Sequence, residues 1–327
     1  MRQTKKPTSS RPSGRPRKGP TRKSPARRKR AYCLVVNYAE CWNNIEETTK
    51  LADRMKRRLR RAGWDCYLET ADDWDGFEKQ VAGAIRKRPY AVVVFGGDGS
   101  VRMAGNRIHR AKRLMGIVPC GQFNNIFHSL YGHTDPELAL SIIKEGYQTK
   151  IDTGLANGTF FLGHLISGVV PAMLEKMGDK TLPKMAMTWG KIAGKASDDT
   201  IPRTSTIKVD TYTIESQPLM LNVHLLSRLM TLDMAPVAAP DDGRIVLVYD
   251  KDGTREMISK YVKELKKDKY QYNEGIQMIR GHRINISPIE GRTWQIDSEP
   301  VEFTGNELTI EVQHKALRVF ANASKKK

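Results

Sequence analysis

Ala91-Val92-Val93-Val94-Phe95-Gly96-Gly97-Asp98-Gly99-Ser100 is the stretch whose reading decides the fold. Its first half is an unbroken apolar run rich in β-branched residues, the pattern of a strand buried on both faces. Its second half is a glycine turn carrying one carboxylate. Glycine tolerates positive φ and lets the backbone approach a ligand closely, so such a turn can present bare N–H groups to a phosphate at the start of the next helix. The same ten residues also describe a plain strand-to-helix turn with a solvated aspartate. The segments on either side decide between the two.

Upstream, Tyr32 to Asn37 reads as a buried strand. Ile45, Thr48, Ala52, Met55, Leu59 and Ala62 then recur at helical spacing up to Gly63, a C-cap glycine. Trp64 to Thr70 is a second strand, and Phe77, Val81, Ala84 and Ile85 mark a second helix that stops before Pro89. Downstream, a helix runs through Ile108 and Ala111, and the strand Leu114 to Pro119 leads into Cys120-Gly121-Gln122-Phe123-Asn124-Asn125. Strand and helix thus alternate from 31 to about 146, which predicts a Rossmann-like parallel sheet with helices on both faces. Ligands of such sheets bind at the carboxyl ends of the strands. Asn37 and the turns at 96–100 and 121–125 all fall on that edge.

The second half of the chain has a different rhythm. Thr206 to Asp210, Leu219 to Leu226, Arg244 to Tyr249, Arg283 to Ser287, Thr293 to Asp297 and Leu308 to Gln313 are strand-like, with turn signals between them. Helices interrupt at Pro171 to Met177, Met185 to Ala196 and Glu256 to Lys267. The prediction is an α/β domain over 31–150 and a mainly β, sandwich-like domain over 151–322, with the active site in the cleft between them.

Composition sets the outer limits. The 327 residues are enough for two domains with cores of their own. No apolar run approaches the roughly 18 residues of a membrane span, and no signal-peptide pattern is visible, so a cytoplasmic protein with at most peripheral membrane contact is expected. Cys33, Cys41, Cys66 and Cys120 lack metal-ligand spacing and read as reduced thiols. The net charge of +19 is mostly a property of one end: residues 1–30 hold 13 Lys or Arg and no Asp or Glu, leaving +6 for the other 297. With five prolines and almost nothing apolar, this tail is expected to be disordered. It could tether the chain to anionic lipid or, less readily, to nucleic acid, or serve only solubility. The basic end at 323–327 carries no specific expectation.

Gly96-Gly97-Asp98-Gly99-Ser100 followed by Pro119-Cys120-Gly121-Gln122-Phe123-Asn124-Asn125 resembles the GGDGT and P-x-GTxND turns of the diacylglycerol and sphingosine kinase catalytic-domain family, with its bacterial lipid-kinase relatives. The resemblance continues through Ile151-Asp152-Thr153-Gly154, the hairpin Asn157-Gly158, Ser167-Gly168, Ala235-Pro236 with Asp241-Asp242-Gly243, and Asp297-Ser298-Glu299 at the place of the family's DGE. It implies an ATP-dependent kinase that phosphorylates a lipid hydroxyl, of the diacylglycerol or sphingoid-base kind. The implied nucleotide site is Asn37, Gly96, Gly97, Gly99, Ser100, Gly121 and Asn124. Asp98 or Asp297 would be the base, Glu299 would hold magnesium with the nucleotide phosphates, and Asp242 would belong to a second ion site or simply to an Asp-Gly turn.

Departures from the family pattern accompany the matches. Asn37 is followed by Tyr38-Ala39-Glu40-Cys41 where the family has proline and a glycine-rich turn. Gln122, Asn125, Met103 and Ser298 replace threonine, aspartate, glutamate and glycine. An alternative reading is therefore a catalytically degenerate member that binds lipid or nucleic acid, and another is a related GGDG kinase acting on NAD or a sugar phosphate. Between 169 and 197, Met173, Met177, Met185, Met187 and Trp189 alternate with lysines, a composition that suits a lipid channel or, at helical spacing, a core.

Overall fold

The computed structural model describes residues 31–41, 45–177, 182–251, 253–265 and 274–322, with backbone alone over 182–189. The basic tail, the terminal lysines, Trp42 and Lys180 lie outside the described residues, as do the side chains of Lys184, Met185, Met187 and Trp189.

The first half alternates as its periodicity predicts: β1 (Ala31–Asn37), α1 (Ile45–Arg61), β2 (Asp65–Ala71), α2 (Trp74–Arg86), β3 (Ala91–Gly96), α3 (Asp98–Arg110), β4 (Leu114–Pro119), α4 (Asn125–Tyr131) and α5 (Pro136–Glu145). The four strands are parallel in the order β2-β1-β3-β4. Every residue of β3 and β4 is buried, whereas the edge strand β2 is mostly exposed or half-buried. An all-apolar strand is soluble only with both faces covered, so helices must lie on each side. Because β1 is followed by β2 on one side and β3 on the other, the strand order reverses between β1 and β3. That reversal opens a crevice at the carboxyl ends of β1 and β3.

The second half comprises β5 (Gln148–Ala156), β6 (Thr159–Phe161), β7 (His164–Gly168), α6 (Val169–Met177), α7 (Leu182–Asp199), β8 (Ser205–Val209), β9 (Tyr212–Ser216), β10 (Met220–His224), the short pair β11 (Arg228–Leu229) and β12 (Leu232–Asp233), β13 (Ile245–Asp250), α8 (Arg255–Leu265), β14 (Ile276–Gly281), β15 (Arg283–Ser287), β16 (Trp294–Ile296), β17 (Glu299–Val301) and β18 (Leu308–Phe320). The strands form two sheets. One, β14-β13-β10-β7-β16-β17, is antiparallel throughout. The other is continuous with the parallel sheet: β18 pairs parallel with β4 through Arg318 and Val319, and antiparallel with β5 and β15. The sheet therefore runs across residue 150, because the last strand of the chain returns to the first domain.

Alternation explains the layering. Leu221, Val223, Leu247, Trp294 and Ile296 point inward from the antiparallel sheet onto Ile207, Ile284, Ile286, Leu308 and Ile310 of the other, and this sandwich interior is continuous with the core of the α/β half. The opposite face, with Ile166, Met220, Val246 and Val248, packs on α6, α7 and α8 as a second core that contains Met173 and Met177. Those two methionines are core residues, and Lys176 beside them pairs with Asp199.

Candidate active site

Two glycine turns meet backbone to backbone at the crevice. Gly97 precedes α3 and Gly121 follows β4. A Cβ on Gly121 would overlap Gly97 Cα and lie 3.1 Å from Gly97 N, so this position requires glycine because main chains touch there. Cys120 N donates to Gly96 O at 3.0 Å, which ties the turns together. The second turn is closed on itself: Asn124, in the left-handed region at φ 52°, accepts from Gly121 N (2.9 Å) and donates to Gly121 O (2.7 Å).

Two helix N-termini point into this crevice, and neither is capped by its own residue. Gly97 has no side chain, and Asn124 is turned back to Gly121. Carboxylates from neighbouring turns take their place. Asp98 caps α4: its Oδ2 accepts from Asn125 N (2.9 Å) and Asn125 Nδ2 (3.1 Å), and its Oδ1 from Ile126 N (2.9 Å). Glu40 caps α3: its Oε2 accepts from Gly97 N and Ser100 N (both 2.9 Å) and from the Ser100 hydroxyl (2.5 Å). Asn37, fully buried, donates to that hydroxyl at 2.9 Å and caps the single 3-10 turn Tyr38–Glu40 that carries Glu40.

Asn125 has a local reason to be an amide. An aspartate there would set a second carboxylate against Asp98, whereas Asn125 Nδ2 supplies a donor. Burial pushes the Asp98 carboxyl up to about 7 against the pull of the Ile126 and Asn125 N–H groups, with Asp297 and Glu40 adding to the rise. The Glu40 carboxyl is also raised by burial, restrained by its bonds to Ser100 and Gly97, and raised further by Glu299.

The second domain delivers the 297–299 hairpin to this place. Asp297 (φ 47°) and Ser298 (φ 73°) form the two-residue loop between Ile296 and its partner Glu299, a turn that takes positive φ at both positions. Asp-Gly is the favoured pair for it, which accounts for the family's DGE and leaves Ser298 strained. Asp297 is 0% exposed and accepts three backbone N–H bonds at 2.8 Å, from Leu162, Gly163 and His164. Its carboxyl is raised by burial. Glu299 reaches α3: its Oε1 and Glu40 Oε1 each lie 2.7 Å from where a Gly99 Cβ would sit, and its Oε2 is 3.4 Å from Arg102.

Asn37, Gly96, Gly97, Asp98, Gly99, Ser100, Gly121, Asn124, Asp297 and Glu299 therefore surround one crevice. Asp242 meets none of them. Its carboxylate pairs with Arg280 and accepts from Arg244 N in its own turn. Among the described residues no group of three His, Cys, Asp or Glu side chains is placed to hold a metal ion. Met103 packs on the core, and the four cysteines are free thiols.

Glu40 escaped the sequence reading because its partners are 57 and 60 residues away. The sequence offered a signal only in the missing glycines after Asn37. A second group also went unread. His164, His224 and Asn222 are fully buried on one face of β7 and β10, beside the loop that Asp297 holds, and none of their side-chain nitrogens or oxygens has a hydrogen-bond partner. Burial lowers both imidazoles to about 3, so they are neutral.

Comparison with known proteins follows this geometry. Residues 32–156 match the diacylglycerol kinase catalytic domain. Diacylglycerol kinase of Staphylococcus carnosus is 22% identical over 242 residues, covering 70% of this chain and 78% of its own length. That of Staphylococcus aureus is 21% identical over 270 residues, covering 78% and 84%. Of the solved structures, a diacylglycerol kinase from Bacillus anthracis superposes with a TM-score of 0.67 at 16% identity, over 91% of this chain and 98% of its own. Another from the same organism, given that name provisionally, superposes at 0.75 with 18% identity, over 90% and 98%. The diacylglycerol kinase fold thus extends over both halves, beyond the catalytic domain itself. No described helix is long and apolar enough to cross a membrane.

Proposed function

We propose that this chain transfers the γ-phosphoryl group of ATP to the hydroxyl of a neutral lipid alcohol. The observation that carries the reading is the meeting of two glycine turns and two helix N-termini with the Asp297–Glu299 hairpin, at the switch point of a parallel sheet in a chain whose residues 32–156 match the diacylglycerol kinase catalytic domain. Phosphoryl transfer needs little covalent work from protein. It needs the phosphates positioned, their charge offset by N–H groups and cations, and a base for the acceptor proton.

The N–H groups of Gly97 and Ser100 would face the phosphates, with Asn37 holding the Ser100 hydroxyl and the Gly121–Asn124 turn forming the opposite wall. The two carboxyls that could be the base each accept three N–H bonds and differ in exposure. Asp297 is 0% exposed and acts by holding the 162–164 loop. Asp98 keeps 8% of its surface open, and its carboxyl sits near 7, where a general base works best. We assign the base to Asp98. Glu299 fits a magnesium site of the kind that supplies one carboxylate and leaves the other positions to phosphate and water. Magnesium would offset the charge that gathers on the transferred phosphoryl group.

The test is a radiolabelled phosphate-transfer screen across diacylglycerols, monoacylglycerols, sphingoid bases and polyprenols, with NAD and fructose 6-phosphate alongside. A labelled neutral lipid is the expected product. Label only in NAD or sugar, or no transfer to any acceptor, would overturn the reading.

A further inference from the structure

The N–H cradle at the start of α3 already holds an anion, the Glu40 carboxylate. We infer that Glu40 is a built-in occupant of the phosphate position and sets how tightly the cradle takes a phosphate: nucleotide enters by displacing this side chain. The inference rests on the proposed nucleotide site, and three observations carry it.

The first is identity of donors. Glu40 Oε2 takes Gly97 N, Ser100 N and the Ser100 hydroxyl, which are the groups a phosphate oxygen at this helix start would take. Both cannot have them at once. The second is attachment. Asp98, which closes α4, is part of the first turn of α3 and cannot leave without unwinding it. Glu40 reaches α3 from outside, at the end of a three-residue turn after β1, and can withdraw by a change in that turn and its own torsions. The third is charge. Among the described residues no Lys or Arg pairs with Glu40. The charged groups that face it are Glu299, across Gly99, and Asp98, both of like sign. The carboxylate is thus held by dipoles alone, and a phosphate of higher charge competes for the same dipoles on favourable terms.

The experiment titrates ATP with magnesium, and separately inorganic pyrophosphate, into the full-length wild-type protein, Glu40→Ala and the isosteric neutral Glu40→Gln by calorimetry. Circular dichroism confirms that each variant is folded, since loss of this cap alone lowers stability. Emptying the cradle should tighten both probes about tenfold in Glu40→Ala, the equivalent of one cap interaction, with Glu40→Gln between it and wild type. Tighter pyrophosphate without tighter ATP would uphold the displacement and remove the nucleotide reading. Binding of ATP and of pyrophosphate with the same affinity in all three proteins would overturn the displacement and leave that reading standing. Binding of neither probe by any of the three would overturn both. Should Glu40→Ala fail to fold, Glu40→Gln decides by the same comparison.

Discussion

Replacing Gly121 by alanine places a methyl group onto Gly97 Cα and 3.1 Å from Gly97 N. Carbon atoms not bonded to each other rest at about 3.5–4.0 Å, so the two turns must part by roughly 1 Å. That movement stretches the 3.0 Å bond from Cys120 N to Gly96 O towards about 4 Å, beyond hydrogen-bond range. It also pulls Asp98 from Asn125 and Ile126, whose N–H bonds to it are all 2.9 Å. Overpacking costs about 1–3 kcal/mol and one lost backbone bond about 1 kcal/mol, giving a destabilisation of about 2–4 kcal/mol. Urea unfolding followed by tryptophan fluorescence measures it as a lower midpoint at unchanged slope. Gly83→Ala is the control: it lies in the last turn of α2 with its nearest neighbouring atom at 3.8 Å, so alanine should stabilise by about 0.5–1 kcal/mol. A Gly121→Ala protein within about 0.5 kcal/mol of wild type would refute the backbone-contact account of the crevice.

Asp98→Asn should abolish phosphate transfer and also change how stability depends on pH. The folded carboxyl near 7 lies above its unfolded value, so the native state holds the extra proton, and wild-type stability falls as pH rises from about 4 through 7. The asparagine variant lacks that slope, and the stability difference between the two should move in its favour by on the order of 1–3 kcal/mol between pH 5 and 8; urea midpoints at the two pH values check this, and a constant difference would contradict it. Asn222→Leu removes a fully buried amide with no hydrogen-bond partner, so the fold should lose no stability, read as an unchanged or higher urea midpoint. Ser298→Gly relieves φ 73° in the 297–298 turn and should raise stability by about 0.5–1 kcal/mol, read as a higher melting temperature.

Much of the architecture was legible because its cause is local. The apolar run of β3, the helical spacing of Ala52, Met55 and Leu59, and the Asn157-Gly158 turn each fix a conformation within a few residues, and their alternation suffices to predict a parallel sheet followed by a β-rich half. The glycine turns were legible for a similar reason: a strand that ends in Gly-Gly-Asp-Gly needs no distant partner to announce a helix start. The antiparallel pairs β8–β9 and β13–β14 were read incompletely, since Tyr212–Ser216 and Ile276–Gly281 are half-exposed and carry little apolar signal.

The order of the turns along the chain, and so the edge on which Asn37, Asp98 and Gly121 gather, was set by sequence alone, because hydrophobic period and glycine placement act at short range. Only the tertiary structure decided what each carboxylate does. It gave Asp242 an arginine, closed Asp297 behind three N–H groups, set Asp98 on α4 and put Glu40 into the cradle at α3. These are pairings over tens to more than a hundred residues, and a carboxylate's role is fixed by whichever donors the folded chain brings to it. The glycine turn at 96–100 is thus an anion site by its sequence, and its anion in this fold is the protein's own.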